Sequence, residues 1–238
     1  GKYPMRIFTP VKELPTAGHP SIGTAYFLAQ DFPKEDGLIT ITLSQNIGPI
    51  EVKIKMSKKG PLMATMYQVR PHFGGILDNR SEIAELFHLT VSDLMDYPIQ
   101  EVSCGVPYII VPVKPLENIQ NLTFNTQVWE KLKSILKDHS VYVFTPQGLL
   151  PNSDLHGRMF APEIGITEDP ATGSANGPLA CYLFKYDIKK GPLTSEQGFE
   201  MNRPSILHLE IESEKEIIKK VKVGGQAVFV GQGQFIID

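Results

Sequence analysis

The sequence predicts a mixed α/β fold, and three observations carry that prediction. The 238 residues are 42% hydrophobic and 21% charged, an ordinary balance for a globular chain and enough for one large domain or two smaller ones. Apolar residues alternate in some stretches and recur at helical spacing in others, so both element types are present. A short motif also recurs in two places, each time ahead of the same order of elements.

In chain order, residues 3–9 read as a strand. Residues 20–30 place Ile22, Ala25, Tyr26 and Leu28 on helical spacing, with Pro20 suited to a first helical turn. Three period-two stretches follow, at 37–44, 50–56 and 62–69, and each reads as a strand. A polar helix over 81–94 leads to a strand at 99–104, a turn at Gly105 and a strand at 108–113. A helix over 126–137, strands at 141–145 and 156–160, and a helix over 174–184 come next. Three β-rich segments, 206–211, 217–223 and 227–237, end the chain.

Charge and cysteine usage exclude several function classes. Net charge is −3, from 23 basic and 26 acidic residues with no basic block, so nothing marks the chain for nucleic acid. No apolar run approaches the roughly 20 residues of a membrane span, and no signal-peptide pattern opens these residues. Cys104 and Cys181 are too few for a disulfide framework or a zinc site and sit in apolar stretches, which fits small core residues. The expectation is a cytoplasmic protein that takes neither nucleic acid nor membrane as partner.

The repeated motif is Arg-x-Phe-x-Pro, at residues 6–10 and again at 158–162. Each copy leads to a glycine that opens a helix, Gly18-His19-Pro20 and Gly173-Ser174-Ala175, and two or three strands follow. That shared order points to duplication, with one half at 1–97 and the other at 98–238. The halves are unequal. The second has a strand–turn–strand–helix–strand module ahead of Arg158, and before Arg6 there is no counterpart. The sequence therefore reads as a fragment or as an unusual form of its fold, and Gly1 fits either. Strands deprived of that module would present raw edges.

The two glycine turns are the chemical feature. A helix start offers unpaired N–H groups and the positive end of the helix dipole, which suit a carboxylate. Glycine lets a ligand approach the backbone. Two such turns related by duplication would face each other across a cleft. His19 offers an imidazole that can act as acid, base or donor, and Asp169 and Ser174 flank the second turn with a carboxylate and a hydroxyl. A plainer alternative stands beside this: an Asp or Ser at a helix start can be an N-cap, stabilising by about 0.5–2 kcal/mol and binding nothing. His72, His88, His139, His156 and His208 have no partners at metal-ligand spacing and read as surface or satisfied histidines, and no metal site is expected.

Residues 6–25 and Glu168-Asp-Pro-Ala-Thr-Gly-Ser-Ala175 resemble the two signature segments of the phenazine-biosynthesis isomerase family. Gly198-Phe-Glu-Met-Asn-Arg-Pro-Ser205 and Val221-Lys-Val-Gly-Gly-Gln-Ala227 are similar to it as well. The resemblance implies an α+β fold of the diaminopimelate epimerase kind: two pseudo-symmetric domains, each a β-barrel-like sheet wrapped around a central helix. It also implies a site between the domains, a homodimer, and cofactor-free proton transfer on a small carboxylated, amino-acid-like substrate such as trans-2,3-dihydro-3-hydroxyanthranilate. By position, His19 and Asp169 match the family's polar substrate-contacting pair, Ser174 its loop hydroxyl, and Gly18 and Gly173 the glycines whose N–H groups face the ligand.

One departure bears on activity. The family's acid/base glutamate lies in an Asn-x-Ser-Glu-Thr-like motif ahead of the Arg-x-Phe-x-Pro segment, and no such motif occurs in these residues. Glu13 and Glu168 are the nearest acidic substitutes. The epimerases of this fold carry a cysteine before each turn glycine; here those slots hold Ala17 and Thr172, so two-base cysteine racemisation is not expected. The resemblance implies an isomerase, with a non-catalytic small-molecule binding or interaction protein on the same fold as the alternative.

Overall fold

The structure is a computed structural model that describes residues 1–9, 12–234 and 236. Strands β1 (Lys2–Pro4), β2 (Ile7–Phe8) and β3 (Glu13–Leu14) precede helix α1 (Gly18–Leu28). Strands β4 (Gly37–Gln45), β5 (Gly48–Ser57), β6 (Gly60–Gln68) and β7 (His72–Leu77) lead to α2 (Arg80–Glu85). Next come β8 (Ile99–Ser103), β9 (Pro107–Pro112), α3 (Leu116–Asn121), α4 (Thr126–Leu132), β10 (Ser140–Thr145), β11 (Leu155–Ala161) and β12 (Ile166–Asp169). Helix α5 (Gly173–Lys185) and strands β13 (Leu193–Gln197), β14 (Ser205–Glu214) and β15 (Ile217–Gly225) complete the order.

Thirteen strands form one sheet in the order β1-β4-β5-β6-β15-β14-β13-β11-β10-β9-β8-β7, with β12 added on β11 and β2–β3 paired separately. The fold is α+β, as expected. The antiparallel β6–β15 pair, with Met66 opposite Val223, joins the strands that follow α1 to those that surround α5. Helix α5 is a central helix: Leu179, Cys181, Tyr182 and Leu183 are buried among Val102, Tyr108, Phe144, Leu155, Leu209 and Val221. Helix α1 buries Ala25 against Ile41, Val52, Ile54 and Met66, and leaves Phe27 exposed. A third cluster packs α2 and α4 on the outer side of β8–β10 through Phe87, Trp129, Ile109 and Val141. Because β7 pairs with β8 and α2 packs in that cluster, residues 72–94 are built into the second group of strands.

Several elements depart from the sequence expectation for local reasons. The strand expected at 3–9 is split, because β1 pairs with β4 while Ile7 and Phe8 turn to pair with Leu14 and Glu13. Helix α1 starts at Gly18, the glycine expected to open it, two residues ahead of the helical spacing that begins at Pro20. The helix expected over 81–94 ends at Glu85: His88 takes a left-handed φ of 53°, and a Thr90/Asp93 capping box starts a separate 3-10 turn. Residues 126–137 are helical only to Leu132, with Lys137 and Asp138 at positive φ. The turn at Gly105 is present, with φ at +116°, a conformation that favours glycine. Residues 227–234 carry no regular strand, and of the remainder of the expected last strand Phe235 and Ile237 lie outside the described residues.

Candidate functional site at the meeting of two helix starts

Helices α1 and α5 meet start to start through their glycines. A Cβ built on Gly18 would stand 2.6 Å from the Gly173 Cα and 2.7 Å from the Ser174 backbone nitrogen, so only glycine permits this contact. The N–H groups of Gly18 and His19 and of Gly173 and Ser174 open the two helices, where first-turn donors lack an i−4 partner, and the Ala175 N–H donates to the Thr172 carbonyl at 3.1 Å. The glycine contact brings two positive helix ends to one spot, an arrangement that favours an anion.

Matching side chains hold the two turns. Arg158 Nε and NH2 donate to Glu168 Oε1 and Oε2, each at 2.8 Å. Arg6 does the same to Glu13, at 2.9 and 2.8 Å. Gln197 donates through Nε2 to the Asp169 carbonyl at 2.6 Å and accepts from the Thr172 N–H at 3.1 Å. Gln45 does the corresponding work at α1, accepting from Thr16 Oγ1 and donating to Ser21 Oγ, both at 2.6 Å. The two copies align without a gap from Glu13 to Ser21 and from Glu168 to Asn176.

These pairs remove both acidic substitutes. Glu13 and Glu168 are forked onto the repeat arginines, and the Arg6 hydrogen bonds, with that of Asn46, hold the Glu13 carboxyl down at about 2. Glu168 and Asp169 do point apart, one to Arg158 and the other to Thr172. The cap alternative for Ser174 fails: Thr172 is the N-cap residue of α5, and Ser174 lies inside the helix with its Oγ 2.7 Å from the Tyr108 hydroxyl. Asp169 is no cap either; it is 9% exposed and accepts a 2.5 Å hydrogen bond from Thr172 Oγ1.

Two connected concavities lie on one side of the glycine contact. Gly18, His19 and Gly173 line one of about 460 Å³, and His19, Asp169 and Arg203 line the other, of about 430 Å³. The exposed His19 belongs to both. Ser174 lies instead on a third cavity of about 290 Å³, with Tyr108 and Glu163. The repeat explains the split, since Leu14, Pro15 and Ser174 border the third cavity where Asp169, Pro170 and His19 border the second. Of the five expected site residues, Gly18, His19, Asp169 and Gly173 gather on one face and Ser174 stands on the other.

A buried ionic network supports the cleft wall. His156 is fully buried, with Nδ1 3.0 Å from Glu196 Oε1 and Nε2 2.8 Å from Glu200 Oε1. Burial pushes its pKa down, but the hydrogen bonds with Glu200 and Glu196 outweigh that, and the net shift is upward. Glu200 stands in the segment that leads to Arg203, Pro204 and Ser205 on the cleft. Cys104 and Cys181 are free and buried, 3.7 Å apart in the core as expected. Gln45 and Gln197 were not among the expected site residues. Their signal was the repeated Glu-x-Pro-x-x-Gly at 13–18 and 168–173, which aligns the turns residue by residue.

A family model described as phenazine biosynthesis-like protein matches residues 1–233. An uncharacterized isomerase of Clostridium acetobutylicum is 32% identical, over 98% of this chain and 79% of the relative. The trans-2,3-dihydro-3-hydroxyanthranilate isomerase of Pseudomonas fluorescens is 31% identical, over 98% of this chain and 79% of its own length. Among solved structures, the Bacillus anthracis phenazine biosynthesis protein of the PhzF family superposes with a TM-score of 0.82 at 27% identity, covering 98% of this chain and 80% of that one.

Proposed function

Because the chain belongs to the phenazine biosynthesis-like protein family, we propose that it is a cofactor-independent isomerase that moves a proton between carbons of a small carboxylated, amino-acid-like substrate. The observation that carries this reading is the convergence of His19 and Asp169 on one cleft beside the Gly18–Gly173 contact. The substrate carboxylate rests on the unpaired N–H groups of the two helix starts, with the Arg203 guanidinium on the same wall. With Oδ2 held by Thr172, the second oxygen of Asp169 is available to exchange a proton with the substrate. His19, exposed at the cleft mouth, delivers or removes the compensating proton. Ser174 contacts the helix-start region from the opposite side, through the hydroxyl that Tyr108 orients. The protein works in the cytoplasm as a homodimer of duplicated units.

The alternative, a non-catalytic binder on the same fold, is favoured by one observation: Glu13 and Glu168 are both committed to arginines, so neither replaces the family's glutamate. One experiment separates the readings. The protein is titrated calorimetrically with trans-2,3-dihydro-3-hydroxyanthranilate and the mixture is followed by proton NMR. Binding with conversion, both weakened by His19→Ala or Asp169→Asn, supports the isomerase. Binding without conversion supports the binder. Absence of both, or indifference to both substitutions, ends the cleft assignment.

A further inference from the structure

The third cavity has groups of its own that the cleft chemistry does not use. Ser140 Oγ donates to Glu163 Oε1 at 2.5 Å, while Glu163 Oε2 is buried without a partner among the described residues. His139 Nδ1 is buried without a hydrogen bond among the described residues and lies 3.9 Å from Glu101 Oε2. His139 and Glu163 both line the cavity, together with the Tyr108–Ser174 hydroxyl pair, and Val106 and Met159 supply apolar wall. A buried carboxylate oxygen without a partner is costly to leave unsatisfied, so the free Glu163 Oε2 on a residue that lines this cavity marks a place built for a donor.

We propose that this cavity is a binding site for a small organic ammonium ion, separate from the His19/Asp169 cleft. An ammonium group has three N–H donors and no acceptor, which matches the unpartnered Glu163 oxygen and a hydroxyl pair able to accept a second bond. The charged groups facing Glu163 are Lys12, which favours its ionised form, and Asp138, which opposes it. Burial raises the Glu163 pKa above the ordinary carboxylate value and lowers that of His139, with Glu101 and Asp138 opposing and Lys137 reinforcing the histidine shift. Glu163 has to ionise to hold the cation, so binding strengthens as pH rises through its raised pKa. The proposal shares only Ser174 with the isomerase reading, and its test acts on Glu163, which the first cleft does not use.

The test is a titration with ethylammonium chloride followed by amide proton–nitrogen correlation spectra, with sodium acetate and tetramethylammonium chloride in parallel. Saturable shifts at Val106, Tyr108, Ser140 and Ser174 are expected with ethylammonium alone. Glu163→Gln, which keeps the shape and removes the charge, is expected to weaken binding by about tenfold or more, the loss of one charge-assisted hydrogen bond. An unchanged spectrum outside residues 105–108, 138–140 and 163 shows that the variant is folded. Unchanged affinity in Glu163→Gln overturns the proposal. So do equal shifts with tetramethylammonium, which has no N–H to donate, and acetate binding in place of ethylammonium.

Discussion

Alanine at the two meeting glycines has unequal effects, because the gap between the helices is not symmetric. A methyl on Gly18 would lie 2.6–2.8 Å from three atoms, all of them backbone of Gly173 and Ser174. A methyl on Gly173 would lie 3.2 Å from the Gly18 Cα and 3.6 Å from its carbonyl carbon. Carbon atoms rest best at about 3.5–4.0 Å, so the first substitution overlaps by about 1 Å and the second by a few tenths. Both glycines open a helix at negative φ, so helix propensity and backbone strain nearly cancel in the comparison. Overpacking costs about 1–3 kcal/mol, and Gly18→Ala sits at the upper end because backbone must move. With about 2–4 °C of Tm per kcal/mol for a chain of this size, Gly18→Ala is expected to lower Tm by about 6 °C or more. Gly173→Ala is expected to lower it by about 2 °C or less. Thermal unfolding followed by circular dichroism measures both. Equal losses, or a larger loss for Gly173→Ala, would refute the start-to-start packing.

Three further outcomes follow from the same contacts. Arg158→Ala strips a nearly buried fork from Glu168 and two backbone bonds, to Ile119 and Leu122, and is expected to cost about 3–5 kcal/mol. Arg6→Ala breaks the exposed twin of that fork and is expected to cost far less than Arg158→Ala in denaturant titrations; equal costs would contradict the burial difference. His156 has a folded pKa above the ordinary 6.5, so its contribution is fully present below that pH and fades as pH rises through the raised value. Glu200 has a folded pKa below 4.5, so its contribution is present above that pH and fades as pH falls through the lowered value. Stability of the wild type is therefore expected to decline on both sides of that window and that of His156→Gln to vary less, and parallel pH profiles would contradict the network. Cys104 and Cys181 are expected to resist thiol reagents until the chain unfolds; fast labelling in native buffer would count against the core placement.

The parts of the fold that the sequence revealed are those with strong periodicity or repetition. Helices α1 and α5, the strands β4–β6 and the Gly105 turn follow from alternating or helically spaced apolar residues. Strand β13 was hidden for a physical reason: Ser195, Glu196 and Gln197 are fully buried, yet they read as loop residues. What permits their burial is a set of distant partners, with the Leu149 and Leu150 N–H groups and His156 on Glu196, and Thr172 on Gln197. Strand β7 was missed because Gly74-Gly75 interrupts its pattern, and α3 because it is a single short turn. At the candidate site, the glycine turns were legible because a repeated motif carries them, whereas that motif has Leu14 in the place of Asp169. The placement of Ser174 on another cavity was not legible, because it depends on Tyr108, which arrives from a strand far away in the chain.

The most direct test of the cleft assignment is solvent-deuterium incorporation into trans-2,3-dihydro-3-hydroxyanthranilate, measured for the wild type and Asp169→Asn in deuterium oxide. The account predicts incorporation by the wild type at a carbon next to the reacting double bond, and a rate lower by about 10²–10⁴-fold in Asp169→Asn, the range for losing a positioned acid or base. Equal rates in the two proteins, or no incorporation by the wild type, would contradict it.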